Sequence, residues 1–299
     1  PENFELSDQI AHANLCGFGK SVIQAVLEGK VEQLVLVNCC DSMRRVYDIV
    51  ESTGKCKFLY MLDMPHEDND CEKVKLAQGI HRLKKAYEKF SGKTFDKSGF
   101  LNAFSHEDVD NQPYIGVLGV RVSGVLEKMI RDNIRMDVEN LTCTGGRRLA
   151  VIREELEKME DDAMFLAYAD ALLSQMPCFR MNNSTRRNRL YLDPNLKGII
   201  YHTIKFCDYY GFEYASIKRD IKVPLLKIET DFTSQSAGQL LTRVQAFAET
   251  LEGSEDMDPS KGISEEIRKK MESGVYYVAG IDSGSTSTDV VILDKDGKI

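Results

Sequence analysis

The chain has no apolar run approaching the roughly 20 residues that a membrane-crossing helix needs, so no membrane span is expected. It has no surplus of basic charge either. Its formal net charge is −8, whereas a nucleic-acid protein presents a basic face to phosphate, which argues against nucleic acid as a partner. No charged-then-apolar signal segment stands at the start, which reads PENFELSDQI. C-x-x-C pairs are missing, which argues against thioredoxin-like redox chemistry. So is any wider C-x₂₋₄-C pair, which argues against a structural zinc site. There is no repeat of fixed short period and no low-complexity tract. The sequence breaks off within a strand-like segment, DVVILDKDGKI, so a continuation past it is expected.

What is present is enough for a substantial core. The 299 residues are 42 % apolar and 29 % charged, which suits two ordinary domains or one large α/β domain with an appendage. Eight cysteines with no secretion signal predict reduced thiols and a cytoplasmic location. Short β-rich runs alternate with helical patterns, the mark of an α/β fold with parallel sheets. Strands are predicted at 32–39, 57–63, 114–120, 136–141, 197–203 and 223–230. Helices are predicted at 42–53, 68–91, 123–133, 151–175, 206–211 and 236–252. These divide into a first Rossmann-like unit (1–112), ending in the turn-rich 92–113, and a second (113–252). A polar linker (253–273) follows, and then a two-stranded unit around a Gly/Ser turn (274–299).

The cysteines carry the chemistry. An iron–sulfur cubane needs thiolates, which converge best from different loops at the carboxyl ends of strands. Cys39 and Cys40 stand where a strand ends and a helix begins, and the helix start stabilises a thiolate through its free N–H groups and dipole. Cys207 occupies the same kind of position in HTIKFCDYY. Cys16 lies in NLCGFGKS, where two glycines permit close backbone approach and a helix follows. Against this stands the ordinary behaviour of free cysteine, which packs as a small buried hydrophobe. Cys56 and Cys71 are read that way. The basic clusters at 147–148 and 186–189 suit either a phosphorylated small molecule or solvated loop charge.

LVNCCDSMRRVYDIV resembles an element of the 2-hydroxyacyl-CoA dehydratase family, which includes benzoyl-CoA-reductase-type subunits. Further similar blocks follow in family order: YIGVLGVRVSGVLEKMIRDN, LTCTGGRRL, MPCFRMNNSTRRNR, GIIYHTIKFCDYYGFEY, VPLLKIETD and GQLLTRVQAFAE. The resemblance implies two Rossmann-like units clasping a 4Fe-4S cluster on Cys16, Cys40 and Cys207, with one iron open. Cys143 and Cys178 are read as non-ligating. The adjacent Cys39 departs from the usual single cysteine and resembles the branch that carries a double-cubane (8Fe-9S) cluster. That branch would need further thiolates, from Cys143, Cys178 or elsewhere, and would act on a small molecule.

GIDSGSTSTDVVILD is similar to the first phosphate-binding hairpin of the actin/Hsp70-like ATPases, in the form used by dehydratase activators. Gly284, Ser285 and Thr286 would let backbone N–H groups reach phosphate, and Asp282 would hold a metal-bound water, implying ATP and Mg. The resemblance further implies an activator ATPase, fused or separate, an acyl-CoA substrate and a dimer. An electron from the activator would generate a ketyl radical anion that expels the hydroxyl of a 2-hydroxyacyl thioester. Ser42 is a candidate to face the cluster or, with Asp41, to cap the helix after Cys40. His202 is a candidate proton donor or else a histidine bonded within the fold. Arg147 and Arg148 are candidates for a CoA phosphate, the activator or surface ion pairs, and Arg243 for a carboxylate across the cleft. Glu229, Asp231 and Gln239 carry no assigned role. An electron carrier without a substrate, and a fold without a cluster, are the alternatives to an enzyme.

Overall fold

Continuous runs of Val, Ile and Leu make strands here because both of their faces are covered. All of Tyr114–Gly119 is buried, and so is nearly all of Leu196–Ile204. The computed structural model describes residues 1–102, 112–143, 145, 153–175, 177–233, 237–256, 278–283 and 288–293. In chain order the elements are α1 (Gly17–Leu27), β1 (Gln33–Val37), α2 (Asp41–Thr53), β2 (Phe58–Leu62), α3 (Asp70–Ser91) and α4 (Lys97–Asn102). Next come β3 (Tyr114–Gly119), α5 (Gly124–Asn133), β4 (Asp137–Asn140), α6 (Arg153–Lys158) and α7 (Asp161–Ser174). A 3₁₀ segment (Ser184–Leu192) leads into β5 (Leu196–Ile204), α8 (Asp208–Ile217), β6 (Leu225–Thr230) and α9 (Ala237–Asp256). Strands β7 (Val278–Ser283) and β8 (Thr288–Leu293) come last.

The chain divides into two compact units, 1–248 and 249–299. The first holds two parallel sheets, so the α/β class read from the sequence is the class of the fold. One sheet pairs β1 with β2, and the other runs β4-β3-β5-β6. After β3 the chain steps to one side for β4 and returns to the other for β5. Such a switch point opens a crevice outside the carboxyl ends of β3 and β5, where α/β proteins bind ligands. One apolar core spans both sheets, with Ile23, Val46, Leu118, Ile199 and Tyr201 among its members. A second core, around Leu76, Leu101, Leu156, Phe165 and Leu173, joins α3, α4, α6 and α7.

Departures from the sequence reading have local causes. The helix expected over 151–175 breaks at Met159–Glu160, where Glu160 turns extended and the Asp161–Asp162 pair opens α7 with charge that suits a helix N-terminus. The turn-rich 92–113 contains α4, and α8 runs on to Ile217 because Tyr210, Glu213 and Ile217 bury one face. Helix α9 extends to Asp256, past the expected start of the linker, and the remainder of that linker lies outside the described residues. In the second unit β7 and β8 pair antiparallel, with Asp282 opposite Asp289. The turn residues Gly284, Ser285 and Thr286 lie outside the described residues. Among the described residues no helix is long and apolar enough to cross a membrane.

Candidate metal centre

Each of Cys16, Cys40 and Cys207 is the N-cap residue of a helix: α1, α2 and α8 respectively. An N-cap side chain faces the unpaired N–H groups of the first turn. Gly19 N–H donates to Cys16 Sγ at 3.4 Å, and the Ser42 hydroxyl also bonds to that sulfur. Burial nevertheless raises the Cys16 thiol above its ordinary value, the nearby Cys40 charge adding to it against the Gly19 and Ser42 hydrogen bonds. A hydrogen bond from Cys39 lowers the Cys40 thiol, opposed by burial and helped by the Met43 and Ser42 N–H groups. The same bond, with burial and the Cys40 charge, drives Cys39 far upward. Cys207 is pushed up to about 12 by burial, against the Tyr210 N–H, with the charges of Cys16, Cys143 and Cys40 contributing.

These influences record proximity. Cys16 feels Cys40, Cys39 feels Cys143, and Cys207 feels Cys16, Cys40 and Cys143. Cys143 follows β4, its N–H donating to Gly119 O at 3.1 Å, so it lies at the switch point. Cys178 bonds Tyr210 Oη at 3.1 Å, and Tyr210 feels both Cys143 and Cys178. Six thiols therefore gather at the carboxyl ends of the strands, where the dehydratase resemblance implies three and the double-cubane branch further ones. Cys56 lies apart, bonded to Glu32 O and Phe58 O at the amino end of β2, and Cys71 is exposed. Among the described residues no three His, Cys, Asp or Glu side chains stand close enough to hold one metal ion. The donor set suits a wider group instead, since a cubane spreads its thiolates over separate irons.

Helix α1 is brought to this edge by a contact only glycine permits. A Cβ on Gly17 would stand 1.9 Å from Asp231 O, in the loop after β6. Phe18 meets Phe232 edge-on at 5.5 Å, and the Arg121 guanidinium lies over the Phe18 ring. Phe232 (φ 69°) and Phe206 (φ 65°), directly before Cys207, take left-handed backbone conformations that cost a non-glycine residue about 1 kcal/mol or more. At Gly119 (φ 94°) a Cβ would come within 2.2 Å of His202 O.

The other candidates are placed as follows. Ser42 sits in the first turn of α2 against Cys16, while the cap of that helix is Cys40 itself, in place of Asp41 or Ser42. His202 is buried. Its Nδ1 donates to Val120 O at 3.1 Å and its Nε2 accepts from Thr230 Oγ1 at 2.9 Å, because a carbonyl oxygen can only accept. Burial lowers it to about 4, so the ring is neutral and both nitrogens are in use. Asp231 accepts from Thr233 N and Oγ1, Thr203 Oγ1 donates to Glu229, and Gln239 lies on α9. Arg243 donates to Lys227 O in place of a carboxylate. Arg147 and Arg148 lie outside the described residues, as does the Gly284–Thr286 turn, and Asp282 is described only in its backbone on β7.

One arginine of the 186–189 cluster, read as meeting a phosphorylated small molecule or as solvated loop charge, belongs to the core instead. Arg187, with Glu213, is almost fully buried. Its Nε and Nη2 bond the Glu213 carboxylate and its Nη1 donates to Pro177 O at 3.0 Å. Tyr201 Oη donates to the same carboxylate at 2.5 Å, and Tyr191 Oη donates to it at 3.4 Å. Burial works to lower the Arg187 pKa, but the Glu213 hydrogen bonds and charge outweigh it and the net shift is upward.

Comparison with known proteins gives this edge a context. The sequence model of the family described as 2-hydroxyglutaryl-CoA dehydratase, D-component, matches residues 1–112 and 105–251. YjiM of Escherichia coli (strain K12), a candidate dehydratase subunit by its name, is 28 % identical over 153 residues, which cover 48 % of this chain and 39 % of YjiM. The (R)-phenyllactyl-CoA dehydratase beta subunit of Clostridium sporogenes is 40 % identical over 57 residues, 18 % of this chain and 15 % of that subunit. The chain thus spans well under half the length of either relative.

Proposed function

Because the chain belongs to the 2-hydroxyglutaryl-CoA dehydratase, D-component, family, we propose that its gathered thiols hold an iron–sulfur cluster and that it removes water from a 2-hydroxyacyl-CoA. The observation that carries this reading is the shared position of Cys16, Cys40 and Cys207, each at a helix start and within electrostatic reach of one another. When bound, the cluster supplies a single electron of very low potential and an open iron for an oxygen ligand. The chain's own residues do the rest. The first-turn N–H groups of α1, α2 and α8 hold the thiolates, Ser42 adds a donor at Cys16, and the Phe18–Phe232 contact pins the start of α1 to the loop after β6. The partners are an ATP-driven activator that delivers the electron, and a second subunit. The β7–β8 hairpin is the start of a fused activator-type ATPase domain in this reading.

A second reading is favoured by one specific finding, the presence of Cys39, Cys143 and Cys178 in the same gathering. Six thiols exceed the need of one cubane and suit a double-cubane (8Fe-9S) cluster in a reductase of small molecules. Iron and acid-labile sulfide per chain after strictly anaerobic purification, with an EPR spectrum of the reduced protein, decide between them. About four irons, lost when Cys16, Cys40 or Cys207 is replaced but kept in Cys39→Ala, support the dehydratase. About eight irons, dependent also on Cys39, Cys143 and Cys178, support the double cubane. An iron-free protein overturns both.

A further inference from the structure

A buried polar network of the first unit lies behind Cys178 and Cys207, and the reaction proposed above does not use it. Helix α8 carries Cys207 at its start, and Tyr210 and Glu213 on its buried face. Arg187 grips that face through Glu213, and with its remaining nitrogen holds the carbonyl of Pro177, the residue before Cys178. One guanidinium therefore fixes the helix of one cysteine against the loop of another. Between them Tyr210 stands under the Arg187 cation, 5.7 Å from its ring centroid, with Oη 3.1 Å from Cys178 Sγ. A second brace holds the same place: Tyr201 Oη lies 3.3 Å from Tyr210 O and bonds Glu213 as well. These bonds tie the 3₁₀ segment, β5 and α8 to one another, and Arg187 and Tyr210 tie them to the Cys178 loop.

We propose that Tyr210 is a positioning residue of the metal centre: its hydroxyl donates a hydrogen bond to Cys178 Sγ, while the Arg187–Glu213 clamp sets the spacing of Cys178 from Cys207. This rests on the second reading above, in which Cys178 is a ligand. A deprotonated cysteine can only accept, so the phenol becomes the donor. A donor at a ligand sulfur favours the more negatively charged, reduced cluster and raises its potential, so removing the donor moves the potential downward.

The test uses the anaerobically purified full chain in three variants: Cys178→Ala, Tyr210→Phe and Arg187→Lys. Iron and sulfide content, circular dichroism, and an EPR-monitored redox titration are measured for each. Tyr210→Phe removes a single oxygen atom and keeps the ring beneath Arg187, so it keeps the proposal testable where changes to the clamp unfold the chain. The expected result is a Tyr210→Phe protein of native helicity whose potential is more negative than wild type, with an altered EPR line shape. Loss of iron from that folded variant also supports the proposal. Arg187→Lys, losing the forked grip, is expected to lose iron. Tyr210→Phe protein with wild-type iron, potential and spectrum overturns the proposal while leaving the cluster reading intact. Cys178→Ala protein with undiminished iron overturns the second reading and the proposal together.

Discussion

Two junctions in the first unit tie together elements distant in sequence through ions, and they do so on opposite terms. Behind the cysteines, Arg187 and Glu213 are each 2 % exposed, and the remaining polar atoms around them are met by Pro177 O, Tyr191 and Tyr201. Between α3 and α7 runs a ladder of pairs: Lys73–Asp170 at 2.8 Å, His81–Asp162 at 2.7 Å and Lys84–Asp161 at 2.5 Å. Every partner in that ladder keeps contact with water, up to 85 % exposure at Asp162. Water and salt screen the ladder, so its stability comes from the apolar faces beneath it, Leu76, Phe165 and Leu173. No such screening reaches Arg187. A charge left alone there has nowhere to go, so the pair specifies a position where the ladder merely accompanies one.

The comparison breaks first, if it breaks, at Glu213. Replacing it with Gln strands a buried guanidinium and is expected to cost about 3–5 kcal/mol, read as a fall in the urea midpoint at unchanged slope. A loss below about 1 kcal/mol would put this junction in the same class as the ladder.

A smaller effect follows from His202, a buried ionisable group at the switch point. Its ordinary value is 6.5 and burial holds it at about 4, so the unfolded chain binds the extra proton between those values. Stability is then complete above pH 6.5 and declines as pH falls toward 4, by about 3 kcal/mol in all. Unfolding free energy followed from pH 7 to pH 4 should show this slope in wild type and a shallower one in His202→Gln. Equal slopes in the two proteins would mean that the ring is not held neutral.

The least effect belongs to the ladder itself. Lys84→Met is expected to change stability by about 1 kcal/mol or less, with the difference shrinking further in molar salt. Thermal melts at low and high salt measure it, and a large salt-independent loss would erase the contrast between the two junctions.

What the sequence made legible were the features encoded locally. Cys40 and Cys207 could be placed at helix starts because an apolar run ends just before each of them, and Cys16 because glycines and a helical pattern follow it. The histidine within GIIYHTIK was flanked by strand residues, so a partnered, in-fold ring stood beside the catalytic reading from the start. Arg187 was illegible for the opposite reason. In RRNR nothing distinguishes the second arginine, and its partner Glu213 lies 26 residues away on a helix whose buried face is set by docking on the sheet. Cys143 had a signal, the end of a strand, that pointed to the same edge as the others. Cys178 had only its place in a family-like block, with no strand end or helix start to locate it; the Arg187 grip on Pro177 and the Tyr210 hydroxyl help hold it there.

The use of cysteine as the capping residue of α1, α2 and α8 gives the protein's response to air a structural side. A Cys16 sulfur that is oxidised or alkylated no longer receives the Gly19 N–H as a thiolate does, so the damage is written into the opening turn of α1. Oxidative loss at this sulfur is then also a local loosening of the chain, at the edge where α2 and α8 begin.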